Sequence, residues 1–329
     1  MKASVIGSGA WGITIAQVLS DNKHDVLVYD VNKNFIDEIN KGCHPFFPGI
    51  VISGIKGVYT LQEAIINSDY IVLCVPNKYL RGLLKEINKL INEPKIFVNV
   101  SKGIEPETLK CVSEIIYEEI EEKKILGYAN LAGPSHAEEV IVRKLTLLVS
   151  ASKDYEIAKK VQLLFANNEY LRVYTSNDVL GCEIGGAIKN AIAIVSGILT
   201  GVGLGENARS ALISRGIIEI VKVVTAMGGN RETAYGLTGI GDLIVTASSE
   251  NSRNFKTGRK IGMGMDVEEA VNKSEQTVEG VRAVLAAHQI AKEHNLDLPI
   301  ISSAYSVLYE NVSPKEAINN VLSRSLKAE

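Results

Sequence analysis

The stretch Ala3-Ser4-Val5-Ile6-Gly7-Ser8-Gly9-Ala10-Trp11-Gly12 decides how the first half of the chain folds. A short apolar run, Ala3–Ile6, leads into a glycine loop. Beyond the loop, helix-like sequence continues to Asn22. A GxGxxG pattern is weak evidence alone. Between a strand and a helix, at the start of a βαβ unit, it reads as a dinucleotide-binding turn. Gly7 would permit the tight turn, Gly9 would let the backbone approach a pyrophosphate, and Gly12 would let helix and strand pack closely. The phosphates would sit at the positive helix N-terminus. Ala10 and Trp11 share this loop, and the single tryptophan either stacks near the cofactor or anchors the first helix.

Working outward, Asp30 falls at the end of the second apolar run, Val26–Tyr29. A carboxylate there accepts hydrogen bonds from an adenosine ribose and repels a 2′-phosphate. The reading leans to NAD. Lys33 is close enough to soften the repulsion and leaves NADP open.

Further apolar runs at Tyr70–Val75, Ile96–Val100, Thr146–Ala151 and Leu171–Tyr174 are rich in Val and Ile. They have the pattern of strands buried on both faces. Helix-like stretches lie between them, at Leu61–Asn67, Tyr79–Ile91 and Glu107–Glu122. Strand–helix alternation implies an α/β fold with a Rossmann-like, doubly wound, mostly parallel sheet. After Ser176 the pattern becomes helical, beginning with one long helix over Asp178–Thr200 and a second that Asn207 would cap. The expected organisation is a dinucleotide-binding domain over 1–177 and an all-helical substrate domain over 178–329.

Composition fits this. The 329 residues are 46% hydrophobic and 22% charged, a soluble globular balance. A net charge of −3 provides no positive field for nucleic acid. None of the four cysteines forms a CxxC pair or lies near a His at metal-ligand spacing, so the expectation is unlinked thiols and no metal. The N-terminal run lacks a signal-peptide layout, and the longest apolar stretch, Ala187–Leu199, is too short to span a bilayer. A cytoplasmic protein without membrane insertion is expected.

The helical half carries the candidate chemistry. Gly185, Lys189, Ala193 and Gly197 recur every four residues and share one helix face. Two adjacent glycines, Gly185 and Gly186, suggest close approach to the backbone, since each costs about 1 kcal/mol in a helix interior. A lysine in such a groove would have a depressed pKa and could move protons; close packing around a snorkelling lysine is the plainer alternative. Ser101-Lys102-Gly103 follows an apolar run at the edge where open α/β sheets bind ligands. Gly133-Pro134-Ser135-His136-Ala137 follows another. Asp242 either caps a helix or holds Lys189. Ser252-Arg253-Asn254 groups a hydroxyl, a guanidinium fork and an amide, a set that suits a phosphate.

In their order and joint presence these segments resemble the NAD(P)-dependent glycerol-3-phosphate dehydrogenases of bacterial type. The resemblance spans essentially the whole chain. It rests on the glycine loop, Val100–Glu105, Gly133–Glu139, Ala187–Asn190, Leu237–Asn254 and Val278–Val281. It implies that Lys189 exchanges the proton, that Lys102 touches substrate and nicotinamide, and that Gly133, Ser135 and Asn190 line the substrate site. It implies that Asp242 orients Lys189 and contacts the substrate region. Ser252, Arg253 and Asn254 would hold the substrate phosphate, with Ala137, Arg253 and Glu279 reaching the cofactor. A cytoplasmic homodimer serving glycerophospholipid synthesis is also implied. Three positions depart from the family pattern: Ala10 for serine, Val31-Asn32 where a basic residue is frequent, and Thr277 for valine. Dehydrogenases of 3-hydroxy acids or 6-phosphogluconate share the layout but not Leu237–Asn254. A non-catalytic NAD sensor would need the glycine loop without Lys102, Lys189, Asp242 and Arg253 together.

Overall fold

A computed structural model describes residues 1–274 and 278–326, so Thr277 lies outside the described residues. The chain forms two compact units. The first comprises Met1–Lys102 and Cys111–Val179, and the second Gly103–Lys110 and Leu180–Glu329.

The strands of the described residues are β1 (Lys2–Ile6), β2 (Asp25–Tyr29), β3 (Ile55–Val58), β4 (Tyr70–Leu73), β5 (Lys95–Asn99), β6 (Ile104–Glu105), β7 (Lys110–Cys111), β8 (Ile125–Ala132), β9 (Thr146–Ala151) and β10 (Leu171–Ser176). Eight of them form one sheet in the order β10-β9-β8-β5-β4-β1-β2-β3, and β6 pairs with β7. Every neighbouring pair in the large sheet is parallel except β8–β9. Strand order reverses between β1 and β4, so the turns after these strands share the ligand-binding edge of a doubly wound sheet. β4 and β5 are buried along their whole length, which explains their unbroken apolar runs. The edge strand β3, with Lys56 and Gly57, escapes a search for such runs.

Helices Ala10–Asp21, Asn77–Leu90 and Tyr155–Phe165 accompany the sheet. The helix expected from Glu107 starts only at Val112, because residues 104–111 form the β6–β7 hairpin, turned by Leu109 at φ 58°.

The second unit is built on the helix Val179–Val202. By length and composition it could cross a membrane, yet 89% of its most apolar window is buried inside the protein. The next helix, Glu206–Ala226, is preceded by Gly205 at its N-cap, so Asn207 lies inside it and does not cap it. Helix Arg253–Gly262 lies against Val179–Val202 with main chains nearly touching. A Cβ on Gly197 would fall 2.0 Å from the Phe255 carbonyl oxygen, and one on Gly201 2.2 Å from that of Arg259. From the other side, a Cβ on Gly258 would fall 2.0 Å from the Ile194 oxygen, and one on Gly262 2.2 Å from that of Ile198.

Glu219 is a buried carboxylate that accepts the Ile300 N–H at 2.7 Å and the Ile301 N–H at 3.0 Å, at the start of helix Pro299–Tyr309. Burial pushes its pKa up to about 7, against the opposing pull of these two N–H groups and of Lys222; Asp297 adds to the rise.

These packings set the expected effects of three substitutions. Gly258→Val should cost at least about 3 kcal/mol by overpacking, whereas Gly82→Ala should add roughly 0.5–1 kcal/mol. Gly82 is helical, with nothing within 4 Å of its added Cβ. Denaturant melts check both signs. For Glu219 the folded pKa exceeds the unfolded one, so the native state holds the extra proton between about 4.5 and about 7. That stabilisation is full below pH 4.5 and fades as pH rises through 7. The stability of Glu219→Gln should therefore be flatter than wild type across this window in urea melts taken at stepped pH.

Candidate active site

The glycine loop has the shape its sequence implies. Gly7 has φ 99°, and a Cβ there would lie 2.4 Å from the Cys74 oxygen. Gly12 has no room either, because its Cβ would fall 1.9 Å from the Gly7 oxygen. Gly9, the N-cap of helix Ala10–Asp21, meets no protein atom within 4 Å. No neighbour in the protein therefore demands glycine at position 9, and a group approaching the backbone there fits. Ala10 is buried in the first turn, and Trp11 packs partly buried against the core of the unit.

Asp30 does more than stand at a strand end. Its Oδ2 accepts the Ser8 N–H at 2.6 Å and the Ser8 hydroxyl at 2.9 Å, and its Oδ1 accepts the Asn32 N–H at 2.8 Å. The carboxylate thus ties the glycine loop to the end of β2. His44 belongs to the same neighbourhood and is not legible from sequence. It is buried in a cluster with Phe35 and Phe46. Burial holds its imidazole below the usual pKa, partly offset by the Ser8 backbone and Asp30.

Two more turns leave the same edge. Ser101 and Lys102 follow β5 after Val100, and Gly133-Pro134-Ser135 follows β8. Gly133 has φ 151° and its Cβ would lie 2.8 Å from the Leu147 oxygen, so this turn needs glycine. The Ser135 hydroxyl donates to the Gly133 carbonyl at 3.2 Å. Ala137 begins the short helix Ala137–Val140.

In the second unit, Lys189 projects from the middle of Val179–Val202 and is buried, its side chain 5% exposed. Its Nζ donates to Asp242 Oδ1 at 2.8 Å and to the Thr246 hydroxyl at 2.5 Å. The Asp242 side chain, 2% exposed, makes no cap; Gly241 precedes it, and Asp242 opens helix Asp242–Ala247 as a first-turn acid. A π turn, Leu237–Gly241, delivers it there. A Cβ on Gly239 in that turn would fall 1.9 Å from the Ala234 oxygen, and one on Gly185 would lie 3.2 Å from the Thr238 oxygen. The paired glycines thus answer, in part, to the backbone of the turn that presents Asp242. Sequence reasoning misses Thr246, although its signal is simple: four residues after Asp242, it shares that residue's helix face.

Ser252 is the N-cap of helix Arg253–Gly262, its hydroxyl accepting the Phe255 N–H at 3.2 Å. Arg253 is exposed in the first turn, and Asn254 is buried beside it. The Asn254 amide donates to Asn190 Oδ1 at 2.9 Å and its oxygen accepts the Gly280 N–H at 2.9 Å. Asn254 therefore links the lysine helix to the first turn of helix Glu279–Glu293, where Glu279 stands. Within this unit the structure brings together Lys189, Asn190, Asp242 and Asn254. Gly7–Gly12, Asp30, Lys102, Gly133, Ser135 and Ala137 belong to the other. Among the described residues, no three His, Cys, Asp or Glu side chains gather into a metal site, and none of the cysteines forms a disulfide.

Comparison with known proteins extends across both units. A family model described as the N-terminus of NAD-dependent glycerol-3-phosphate dehydrogenase matches residues 2–158, and its C-terminal counterpart matches 178–319. Glycerol-3-phosphate dehydrogenase (NAD(P)+) of Acholeplasma laidlawii is 58% identical, over 100% of this chain and 99% of that protein. The protein of the same name from Bacillus cereus strain B4264 is 44% identical, over 100% and 97%. The crystal structure of glycerol-3-phosphate dehydrogenase from Coxiella burnetii superposes with a TM-score of 0.92 at 29% identity, covering 98% of each chain. With both halves matched and relatives alike from end to end, the chain belongs to the NAD-dependent glycerol-3-phosphate dehydrogenase family.

Proposed function

We propose that this protein is an NAD(P)-dependent sn-glycerol-3-phosphate dehydrogenase that interconverts glycerol 3-phosphate and dihydroxyacetone phosphate. The observation that carries the reading is a buried lysine ammonium held by a carboxylate and a hydroxyl, in a chain whose other unit carries a dinucleotide turn. As a functional division we take a dinucleotide-binding domain over 1–177 and a substrate domain over 178–329, although Gly103–Lys110 packs with the second unit. The nicotinamide, when bound, supplies or accepts the hydride. The remaining steps belong to the chain. Gly7, Gly9, Ala10, Trp11 and Gly12 hold the dinucleotide, with Asp30 at its ribose and Ala137, Arg253 and Glu279 at its edges.

In reduction the Lys189 ammonium gives a proton to the carbonyl oxygen as hydride reaches C2, which leaves Nζ a neutral amine; in oxidation that neutral amine takes the proton of the C2 hydroxyl and becomes the ammonium. Asp242 and Thr246 fix that nitrogen, so the proton moves from a set position. The Ser252–Asn254 helix N-terminus suits the substrate phosphate: its N–H groups and the Arg253 guanidinium both favour an anion. Gly133, Ser135, Lys102 and Asn190 complete the substrate contacts, and holding the phosphate sets the distance of the reacting carbon. The family resemblance supports a cytoplasmic homodimer whose product serves glycerophospholipid synthesis.

We further read the cofactor preference as NAD over NADP. A carboxylate at the end of β2, Asp30, repels a 2′-phosphate, and the 85% exposed Val31 next to it offers no cation to attract one.

NADH oxidation screened against dihydroxyacetone phosphate and a panel of oxo acids tests the assignment, and activity confined to the oxo acids would overturn it. Lys189→Ala should lower kcat by about a thousandfold while NADH affinity stays nearly intact. Arg253→Ala should chiefly raise the KM for dihydroxyacetone phosphate, by about tenfold or more. In the pair Asp30→Ser with Val31→Arg, the ratio of kcat/KM for NADPH over NADH should rise by about tenfold or more.

A further inference from the structure

Two asparagines occupy positions where this sheet should carry apolar residues. Asn99 ends β5 fully buried, and Asn130 lies directly opposite in β8, 2% exposed. Interior parallel strands are rich in Val, Ile and Leu, and asparagine is depleted from them. Burying a carboxamide is unfavourable unless its polar atoms find partners.

Asn99 finds all of them. Its Oδ1 accepts the Ser101 N–H at 3.0 Å. Its Nδ2 donates to the Ser101 carbonyl at 2.9 Å and to Asn130 Oδ1 at 2.9 Å. Both backbone groups of Ser101 are therefore held by one side chain. The Ser101 hydroxyl adds a further anchor, donating to the Val75 carbonyl at 2.7 Å. Lys102 is the next residue along the chain.

The orientation of each amide follows from this arrangement. The Ser101 N–H needs the Asn99 oxygen, so the Asn99 nitrogen faces Asn130, and the Asn130 oxygen must face back. Asn130 Nδ2 is then buried with no hydrogen-bond partner. A simple turn at the end of β5 would need only the Asn99 oxygen and the Ser101 N–H. The second amide, with its unmet donor, has no place in such a turn, and an unpaired buried donor lowers stability. What the pair adds is rigidity: Asn130 fixes Asn99 from behind, and Asn99 fixes both sides of Ser101. Asn130 also lies three residues before Gly133, so the hydrogen bond ties together the strands that launch two turns of the site.

We propose that Asn99 is a positioning residue for Lys102, and that Asn130 acts on the reaction only by bracing Asn99. The inference rests on the reading above that Lys102 meets the substrate. It names residues that composition and motif searches pass over, because both lie buried inside strands.

The test is steady-state reduction of dihydroxyacetone phosphate by NADH, with NADH binding followed by fluorescence and thermal melts on the same samples. The variants are Asn99→Leu, Asn99→Asp, Asn130→Leu, the double Asn99→Leu/Asn130→Leu, and Lys102→Met. Asn99→Leu should lower kcat/KM for dihydroxyacetone phosphate by about tenfold or more, with the NADH Kd changed less than about twofold. Asn99→Asp keeps the acceptor for Ser101 but loses both donors, and should fall between wild type and the leucine variant. Asn130→Leu should have a smaller effect, and the double variant should be no worse than Asn99→Leu alone. The proposal is overturned if the two losses multiply in the double variant, or if NADH affinity falls in parallel with activity. If Asn99→Leu does not fold, an Asn99→Asp enzyme as active as wild type would overturn it equally. Full activity in Lys102→Met would remove the reading on which the inference rests. An inactive Lys102→Met beside a fully active Asn99→Leu would sink the bracing role alone.

Discussion

An ammonium group stripped of water is the constraint around which the helical unit is organised. Lys189 sits in the interior of a mostly apolar helix, and removing a charge from solvent is costly by several kcal/mol unless a partner and hydrogen bonds compensate it. Asp242 supplies the opposite charge and Thr246 a hydroxyl oxygen. Bringing Asp242 to that point requires the π turn before it. The turn requires glycine at 239, where a side chain would strike the Ala234 carbonyl, and small residues where it crosses the lysine helix. A motif that reads in sequence as Leu-Thr-Gly-Ile-Gly-Asp is thus the scaffold of one ion pair.

The first unit solves a different problem. A dinucleotide turn must expose backbone N–H groups while keeping a fixed shape. Here the shape comes from two glycines pressed against carbonyl oxygens and from the Asp30 carboxylate gripping Ser8. Other strand ends are tied by similar side-chain-to-backbone bonds, among them those from Ser101 to Val75 and from Asn99 to Ser101, next to the candidate site. The turns are irregular in path but each is anchored to the sheet.

Much of this is legible in the residues. Apolar runs locate β1, β2, β4, β5, β9 and β10 in the amino-acid sequence, although only β4 and β5 are buried along their whole length and the edge strand β10, expected to be buried on both faces, alternates buried with exposed residues. The edge strand β3, with lysine and glycine, offers no such run. The β6–β7 hairpin, four strand residues in all, takes up the first residues of an expected helix with its second strand. The lysine helix is readable from its period, and Asp242 as its partner from the resemblance. His44 and the Asn99–Asn130 pair do not stand out, because their roles arise from contacts across 36 and 31 residues of sequence. Local pattern has no access to such pairings. Ser252 and Asn254 illustrate the opposite limit. Both stand out as members of a polar cluster, yet one serves as a helix cap and the other spends its amide on Asn190 and Gly280, so residue type alone does not disclose their bonding.

The glycine contacts between helices Val179–Val202 and Arg253–Gly262 have a mechanical side. Side chains between helices act as compliant pads: rotamers shift and absorb small displacements. Where main chain rests on main chain the pad is missing, and the two helices move as one stiff body. The residue that would feel the pull of an anion, Arg253, and the residue that would exchange the proton, Lys189, are mounted on the two members of that body. Their spacing is therefore a property of the backbone, insensitive to the thermal rattling of the side chains around them.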